Sequence, residues 1–306
     1  MTYLSLVLRL CLLLALVHIV RSLHRVRNGH HGDPSPRSMG THRGKGTMMK
    51  YNEKKSRTHL DDQPPSRCAS VSSATELQDL LQPREDGHVT EVSLCSTELK
   101  FERTVRLPRF TIIRCPMDNK CIFDGQRERR LFVYTINATL VPEERYASMI
   151  FDNIVFQNGS GEGGGAIKLV GEGSASRAMF RNCEFRYNDG SYSQNGGAID
   201  AVPWYALDIV NTTFIGNTAH TGGAIHALDA RIFLRNASFI DNTVCGAGEG
   251  PAIYTEGIGT VQCDGTDNVF ETNLDGICVE EDYDHLDPPD IVAPNILGCD
   301  DTPPVD

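Results

Sequence analysis

The chain has 306 residues, including 10 cysteines, and a formal net charge of −11. The charge is divided unevenly, because residues 23–67 carry a net charge of +6 and residues 68–306 carry −19. An acidic body argues against nucleic-acid binding by the folded part. The sequence also lacks a C-x-x-C pair, which argues against a zinc site.

The N-terminus predicts the compartment. Leu10 to Val20 is an apolar run too short to span a bilayer comfortably. A plausible cleavage site after Ser22 makes residues 1–22 a secretory signal peptide. Arg21 and Arg25 follow the run and oppose translocation, so an uncleaved anchor is the alternative and the only route to membrane attachment. We expect a secreted or cell-surface protein.

Residues 23–67 have few large apolar side chains and clustered Gly, Ser, Pro and His. This composition predicts a basic disordered linker or pro-segment. A polyanion-binding arm is the alternative, which composition alone supports weakly.

A short helix is predicted at the start of the acidic body. Ser73-Ala-Thr-Glu76 is a capping box, and Leu77, Leu80 and Leu81 follow it on one face. Such a helix would cover the open end of a sheet structure and protect its edge strands. Strand-like runs then follow at 89–94, 111–114, 121–124 and 131–134.

An internal repeat dominates the middle of the chain. A phenylalanine recurs at spacings of 29, 29, 25 and 31 residues, and a Gly-Gly-Ala-Ile element lies between successive copies. The segments alternate with a period of two, which indicates strands rather than helices. The phenylalanines are Phe156, Phe185, Phe214, Phe239 and Phe270.

Strand repeats of this length fit one turn of a β-solenoid, in which each turn pairs with its neighbours at about 4.8 Å. We therefore predict an all-β fold, a right-handed parallel β-helix over residues 68–275, followed by an acidic Pro-rich tail at 276–306. Equivalent residues would stack into ladders. The phenylalanines would form one ladder, and asparagines three residues before them would form another at a turn: Asn153, Asn182, Asn211 and Asn236.

The paired Gly-Gly-Ala-Ile and Phe-x-x-Asn elements over residues 153–273 resemble the polymorphic outer-membrane-protein repeat. That resemblance implies the fold, and it links the chain to adhesive autotransporters, whose membrane barrel is missing here. The wider right-handed β-helix domains include polysaccharide lyases and hydrolases as well as proteins that are not enzymes.

One column is a candidate acid–base array. The isoleucine of each Gly-Gly-Ala-Ile element should point inward, so the next residue should face solvent, and the flanking alanines would leave room for a ligand. His226 would act as acid or base, Asp200 would orient it, Lys168 would neutralise a uronate, and Tyr254 would assist proton transfer. The alternative is a solvated face whose residues vary freely.

Other candidates concern ligands. Tyr187, Tyr192, Trp204 and Tyr205 lie close in sequence and could stack on sugars, although Trp204 covering apolar surface is the favoured interpretation. No cofactor or metal is expected. Calcium is conceivable from loop acids such as Glu172, Asp189 and Glu249, but the sequence has no motif for it.

Cysteines and sequons complete the predictions. We expect disulfides Cys68–Cys95, Cys115–Cys121, Cys245–Cys263 and Cys278–Cys299, with Cys183 as the free thiol. Four sequons are present. We expect glycans at Asn137 and Asn158 but not at Asn211 and Asn236, whose amides would be engaged in a buried ladder.

We therefore expect a glycoprotein that acts as a binding, adhesion or structural module, with an extracellular glycan or a cell-surface protein as its partner. The alternative is a polysaccharide lyase or hydrolase acting on acidic glycans.

Overall fold

A computed structural model describes residues 68–83, 89–135, 147–171, 176–190, 195–204, 206–245, 248–265, 267–276, 291–292 and 295–297. All of them lie in one unit spanning residues 63–306. The N-terminal segment 1–22, the basic segment 23–67 and most of the acidic tail lie outside the described residues. Among the helices described, none has the length and apolarity needed to cross a membrane.

The chain opens with helix α1 (Ala74–Leu80), where the capping box predicted it. The Ser73 hydroxyl accepts a 3.1 Å hydrogen bond from the Glu76 N–H. The Glu76 carboxylate accepts from the N–H of Ser72, at 2.7 Å, rather than from the cap residue itself. Leu77 and Leu81 are fully buried and pack against the core, whereas Leu80, which was expected beside them, is 43% exposed.

Strands follow in three long ladders, and every strand pair is parallel. The first face contains β1 (Thr90–Ser93), β4 (Phe110–Arg114), β7 (Ser148–Asp152), β10 (Arg177–Arg181), the first halves of β13 (Ala206–Ile215) and β16 (Arg231–Ile240), β19 (Thr260–Cys263) and β23 (Asn295–Leu297). The second face contains β2 (Glu98–Lys100), β5 (Cys121–Asp124), β8 (Ile154–Gln157), β11 (Glu184–Arg186), the second halves of β13 and β16, and β20 (Val269–Glu271).

The third face contains β3 (Val105–Arg106), β6 (Phe132–Thr135), β9 (Ile167–Val170), β12 (Ile199–Val202), β15 (Ile225–Leu228), β18 (Ile253–Glu256) and β22 (Ile291–Val292). A small sheet of β14 (Thr218–Ala219), β17 (Thr243–Cys245) and β21 (Leu274–Gly276) lies between the second and third faces in chain order. The predicted all-β parallel β-helix with a short N-terminal helix is therefore confirmed.

The phenylalanine ladder forms as predicted. Successive rings stack at centroid distances of 4.5, 4.8, 4.8 and 5.0 Å from Phe156 to Phe270. All but Phe270 are fully buried. Burying a side chain of this size stabilises the fold by about 1.5–3 kcal/mol, so this ladder is a main source of stability.

The asparagines form two columns at two corners. The outer column, between the first and second faces, contains Asn153, Asn182, Asn211 and Asn236, all with φ between 47° and 62°. Asparagine tolerates this left-handed conformation better than other residues with a side chain, and it bends the chain from one face to the next. The inner column follows the second face and contains Asn188, Asn217, Asn242 and Asn273.

The outer column corrects one prediction. Its amides are linked, since Asn211 donates to Asn182 at 3.2 Å and Asn236 donates to Asn211 at 3.0 Å. Asn211 and Asn236 are nevertheless exposed, because a corner points its side chain away from the core. The expectation that this column is buried throughout was therefore wrong, although Asn153 is buried.

The Gly-Gly corner explains the third recurring element. The first glycine of each copy has a positive φ of 63° to 70°, at Gly164, Gly196, Gly222 and Gly250. At the second glycine the next turn lies too close for a side chain, since a Cβ on Gly197 would be 2.0 Å from the carbonyl oxygen of Gly223.

Two predicted disulfides are present, Cys68–Cys95 and Cys115–Cys121, with Cα separations of 4.9 and 5.8 Å. Cys183 is a buried free thiol, as predicted. Cys245 and Cys263 are each disulfide-bonded. The described disulfides do not include a bond that joins these two, so the predicted pair is not confirmed. Cys278 and Cys299 lie outside the described residues, so their pairing stays a prediction.

Candidate functional site

The predicted acid–base column is in register on the third face. Lys168 pairs with Asp200, Asp200 with His226, and His226 with Tyr254 on successive strands. The isoleucine before each of them is fully buried in the core, so by strand alternation these side chains lie on the outer side of the sheet.

The two central residues of the column are not open to solvent, which corrects the prediction for them, whereas Lys168 and Tyr254 are partly exposed. The side chains of Asp200 and His226 are only 5% and 3% exposed. Gly163, in the loop before β9, lies so close to Asp200 that a Cβ there would be 2.5 Å from Oδ2. Period-two alternation reports which side of a sheet a residue occupies, and it does not report a loop that covers that side.

The burial is compensated by a polar network of Lys168, Asp200, His226, Glu256 and Asn195. His226 Nδ1 lies 2.8 Å from Asp200 Oδ1, and its Nε2 lies 3.2 Å from Glu256 Oε1 and 3.3 Å from Asn195 Nδ2. Lys168 Nζ lies 3.6 Å from Asp200 Oδ2. Buried charges tolerate such a position when they are paired and hydrogen-bonded.

Cations hold the covering loop in place. Arg130 donates from Nη2 to the Glu162 carbonyl at 2.6 Å and from Nε to the Gly164 carbonyl at 2.9 Å. Lys168 Nζ donates to the same Glu162 carbonyl at 3.1 Å. Burial lowers the pKa of Arg130, while the negative charges of Asp200 and Glu162 act in the opposite direction.

Tyr254 ends the column beside His226, with ring centroids 5.8 Å apart. Burial raises the pKa of Tyr254, and the nearby charges of Glu256 and Glu249 act in the same direction. A tyrosine that holds its proton more firmly is less suited to the predicted assistance in proton transfer.

This geometry favours a structural role for the network. A catalytic base must reach the proton that it removes, yet both ring nitrogens of His226 already contact protein groups. The alanines expected to leave room for a ligand are buried core residues instead: Ala166, Ala198, Ala224 and Ala252. They lie where the chain bends at the Gly-Gly corner, so strand alternation does not extend to them.

Sequence reasoning missed Glu256, Asn195 and Arg130. Glu256 lies two residues after Tyr254 on the same strand, paired with Leu228, and so outside the column. Asn195 and Arg130 lie in segments before strands, where no periodic pattern was available. Asn195 forms an isolated β-bridge with Thr221 on the next turn, and no sequence pattern predicts it.

Of the aromatic candidates, the structure describes Trp204 and Tyr187, and these two do not share a surface. Trp204 is 1% exposed and packs edge-on against Tyr134 at 5.7 Å. Tyr187 is 54% exposed on a different strand connection. Tyr192 and Tyr205 lie outside the described residues. Trp204 therefore fits the interpretation that it covers apolar surface.

The loop acids considered for calcium are described in part. Within the described part of the chain, no group of three or more His, Cys, Asp or Glu side chains is arranged to hold a metal ion. Asp189 and Glu249 are described, whereas Glu172 is not.

The first face carries a surface that was not predicted, which we call the arginine face: Arg177, Arg181, Arg231, Arg235, Met179 and Phe233. Register places Arg177 and Arg231 in one column with Ala206 between them, and Arg181 and Arg235 in another with Val210 between them. The four cations thus mark a rectangle of about 10 Å along the axis and about 13 Å along the strands. The signal was present in ArgAlaMetPheArg and ArgIlePheLeuArg, which place arginine at equivalent positions.

The arginine face shows its cations and hides part of its anions. Arg177 is 55% exposed over Asp208, which is 15% exposed, and Arg181 is 40% exposed over Asp152, which is 9% exposed. The corresponding N–O distances are 3.0 and 2.6 Å. Asp208 lies on this face itself, in register between Met179 and Phe233. Arg235 also pairs with a carboxylate, that of Asp264 at 2.6 Å, and here both side chains are about two-thirds exposed.

Comparison with known proteins identifies no relative, since no family model, curated protein or solved structure matches the chain. The likeness to the polymorphic outer-membrane-protein repeat therefore stays an interpretation of the motif.

Proposed function

We propose that the protein is an extracellular binding module that contacts acidic polysaccharide through the arginine face. The observation that carries this proposal is the regular placement of four partly exposed arginines on the first face. A linear acidic polysaccharide carries its charges at regular intervals, and a rigid solenoid offers cations at regular intervals in return.

The chemistry of the face suits such a ligand. Guanidinium groups bind carboxylate and sulfate through paired hydrogen bonds. Met179 and Phe233 lie half-buried between the arginine columns and provide apolar contact for the faces of sugar rings. The rest of the body is acidic, so it repels a polyanion elsewhere and directs it to this face.

An enzyme acting on acidic glycans is the second candidate, favoured by the contact between Asp200 and His226. The burial of both side chains counts against it, because a polymer would have to displace the covering loop before it reached them.

The test is binding of the secreted chain to immobilised heparin and polygalacturonate, with neutral dextran as the control ligand. We expect binding to both acidic polymers that weakens with added salt. Arg177→Gln with Arg231→Gln should weaken it at least tenfold, since losing charged hydrogen bonds costs about 1.5–3 kcal/mol each. Arg103→Gln with Arg129→Gln is the matched control, because both arginines are exposed away from this face.

Equal losses in the two double variants, or no preference over dextran, would refute the arginine face. Shortening of polygalacturonate that disappears in His226→Gln would establish the enzyme instead. Retained capture of a surface protein by the Arg177/Arg231 variant would place the binding surface elsewhere.

A further inference from the structure

The exposed end of the outer asparagine column has the properties of a modification site. Asn211 and Asn236 occupy the corner between the first and second faces with φ of 47° and 49°. Both begin a sequon, completed by Thr213 and Ser238. In the same column, the buried Asn153 and the half-buried Asn182 lack a sequon. Sequon and exposure therefore coincide within one structural column.

The hydrogen-bond count separates this column from the inner one. Within the described residues, Nδ2 of Asn211 donates one hydrogen bond, to Asn182, and Nδ2 of Asn236 donates one, to Asn211. The inner Asn217 instead donates two, to the Phe185 carbonyl at 3.0 Å and to Asn242 at 2.9 Å. An asparagine amide has two N–H donors, so each exposed outer amide keeps one hydrogen that the ladder does not use.

We propose that Asn211 and Asn236 carry N-linked glycan, contrary to the expectation from sequence. The amide nitrogen would form a bond to the anomeric carbon of an oligosaccharide donor, whose bond to a lipid pyrophosphate breaks as the amide loses one proton. The product retains one N–H, directed away from its carbonyl oxygen. That hydrogen suffices for the single ladder bond, so the glycan and the ladder are compatible.

The transfer precedes completion of the fold. Asn211 and Asn236 lie inside the continuous strands β13 and β16, which pair on both sides. A paired strand cannot enter an enzyme active site, so the sugar must be attached before these turns close. The folded structure then decides whether the product is tolerated, and an exposed corner tolerates it.

The inference rests on the secretory route of the proposed function but not on the arginine face. The test is peptide mapping of the full chain secreted from a eukaryotic host, after enzymatic deglycosylation in ¹⁸O-labelled water. We expect the label at Asn211, Asn236 or both. Thr213→Ala and Ser238→Ala remove each sequon while keeping the asparagine, so each should lose its own label without lowering the unfolding temperature.

Label at Asn137 or Asn158 alone would overturn the glycan assignment and leave the secretory route standing. Absence of label at all four sequons in the secreted chain would overturn the glycan assignment as well, whereas failure of the full chain to be secreted would overturn the secretory route. A drop in unfolding temperature for Thr213→Ala that persists in deglycosylated protein would show that the threonine is structural, and the label at Asn211 would then be judged in Thr213→Ser, which restores the sequon.

Discussion

Asparagine has two uses in this solenoid, and both follow from its short amide. In the outer column its tolerance of a left-handed backbone makes the corner. One side-chain hydrogen bond joins Asn211 to Asn182, and another joins Asn236 to Asn211. In the inner column the side chain makes hydrogen bonds to backbone groups at the corner, as Asn217 does with the Phe185 carbonyl. Asn217 also accepts from the Asn188 N–H at 3.1 Å, so its whole hydrogen-bonding capacity is used in the core. A buried amide of this kind costs about 1–3 kcal/mol when a partner is lost.

Cys183 is the residue for which we predict a pH-dependent reactivity. Burial raises its pKa to about 12, and its Sγ lies 3.2 Å from the Arg181 carbonyl and 3.5 Å from the Phe151 carbonyl. Thiolate is the reactive form, so at pH 8 the native thiol should react with iodoacetamide about a thousandfold more slowly than an exposed cysteine of pKa near 8.5. Mass spectrometry after timed labelling measures it.

Denatured protein is the control, because unfolding exposes Cys183 and should allow complete labelling. Rapid labelling of the native protein at pH 8 would mean that the thiol is accessible and that the first face opens around it.

At the scale of elements, the regular strands of each turn were predictable from the sequence. The loop that covers Asp200 and the burial of the alanines at the Gly-Gly corner were not. The Phe ladder is visible in the sequence because each turn places one phenylalanine at the equivalent position of the second face, so the residue recurs about once per turn. The loop over Asp200 was invisible because it is fixed by Arg130, whose contacts go to backbone carbonyls 32 and 34 residues later. Backbone acceptors leave no sequence pattern. The buried alanines were misassigned for a related reason, since alternation stops at the bend made by Gly164.

Helix α1 supplies a prediction at this scale. Glu102 accepts from the N–H groups of Ala74 and Thr75 at 3.1 and 2.9 Å, so it joins the helix N-terminus to the next turn. Partial burial alone would raise the pKa of Glu102, but hydrogen bonds from the backbone of Glu102, Ala74 and Thr75 lower it. Its contribution to stability is therefore present above about pH 4.5 and is lost as the pH falls through the lowered pKa.

Glu102→Gln removes the charge and keeps an acceptor. We expect faster amide hydrogen exchange across residues 74–81 at pH 7, by an amount equivalent to about 0.3–1 kcal/mol at this exposed site. After correction for intrinsic exchange, the difference from wild type should shrink as the pH falls through the lowered pKa of Glu102. Glu98→Gln, at an exposed position on β2, is the matched control. A difference that does not shrink as the pH is lowered would show that the charge is not the cause.

At the scale of the whole molecule, the protein is a stack in which each turn contacts its neighbours. Such a stack has a stability that approximates the sum of its turns and their interfaces. A central turn packs against a neighbouring turn on each side, whereas a terminal turn packs against a neighbour on one side only. The buried rings of the second face follow this rule: Phe214 has a ring 4.8 Å away on each side, and Phe270 has a described neighbouring ring only at Phe239, 5.0 Å away.

Truncating the ladder at its middle and at its end therefore has unequal effects. Phe214→Ala should lower the free energy of unfolding by about 3–5 kcal/mol, because it opens a cavity in a fully buried column. Phe270→Ala should cost clearly less, since that ring is only partly buried and solvent already reaches it. Equilibrium unfolding in guanidinium chloride measures both. Phe214→Leu, which leaves a smaller cavity, keeps the comparison possible if the alanine variant does not fold. Equal costs at the two positions would contradict the nearest-neighbour description, because they would mean that the last turn is packed as tightly as the centre.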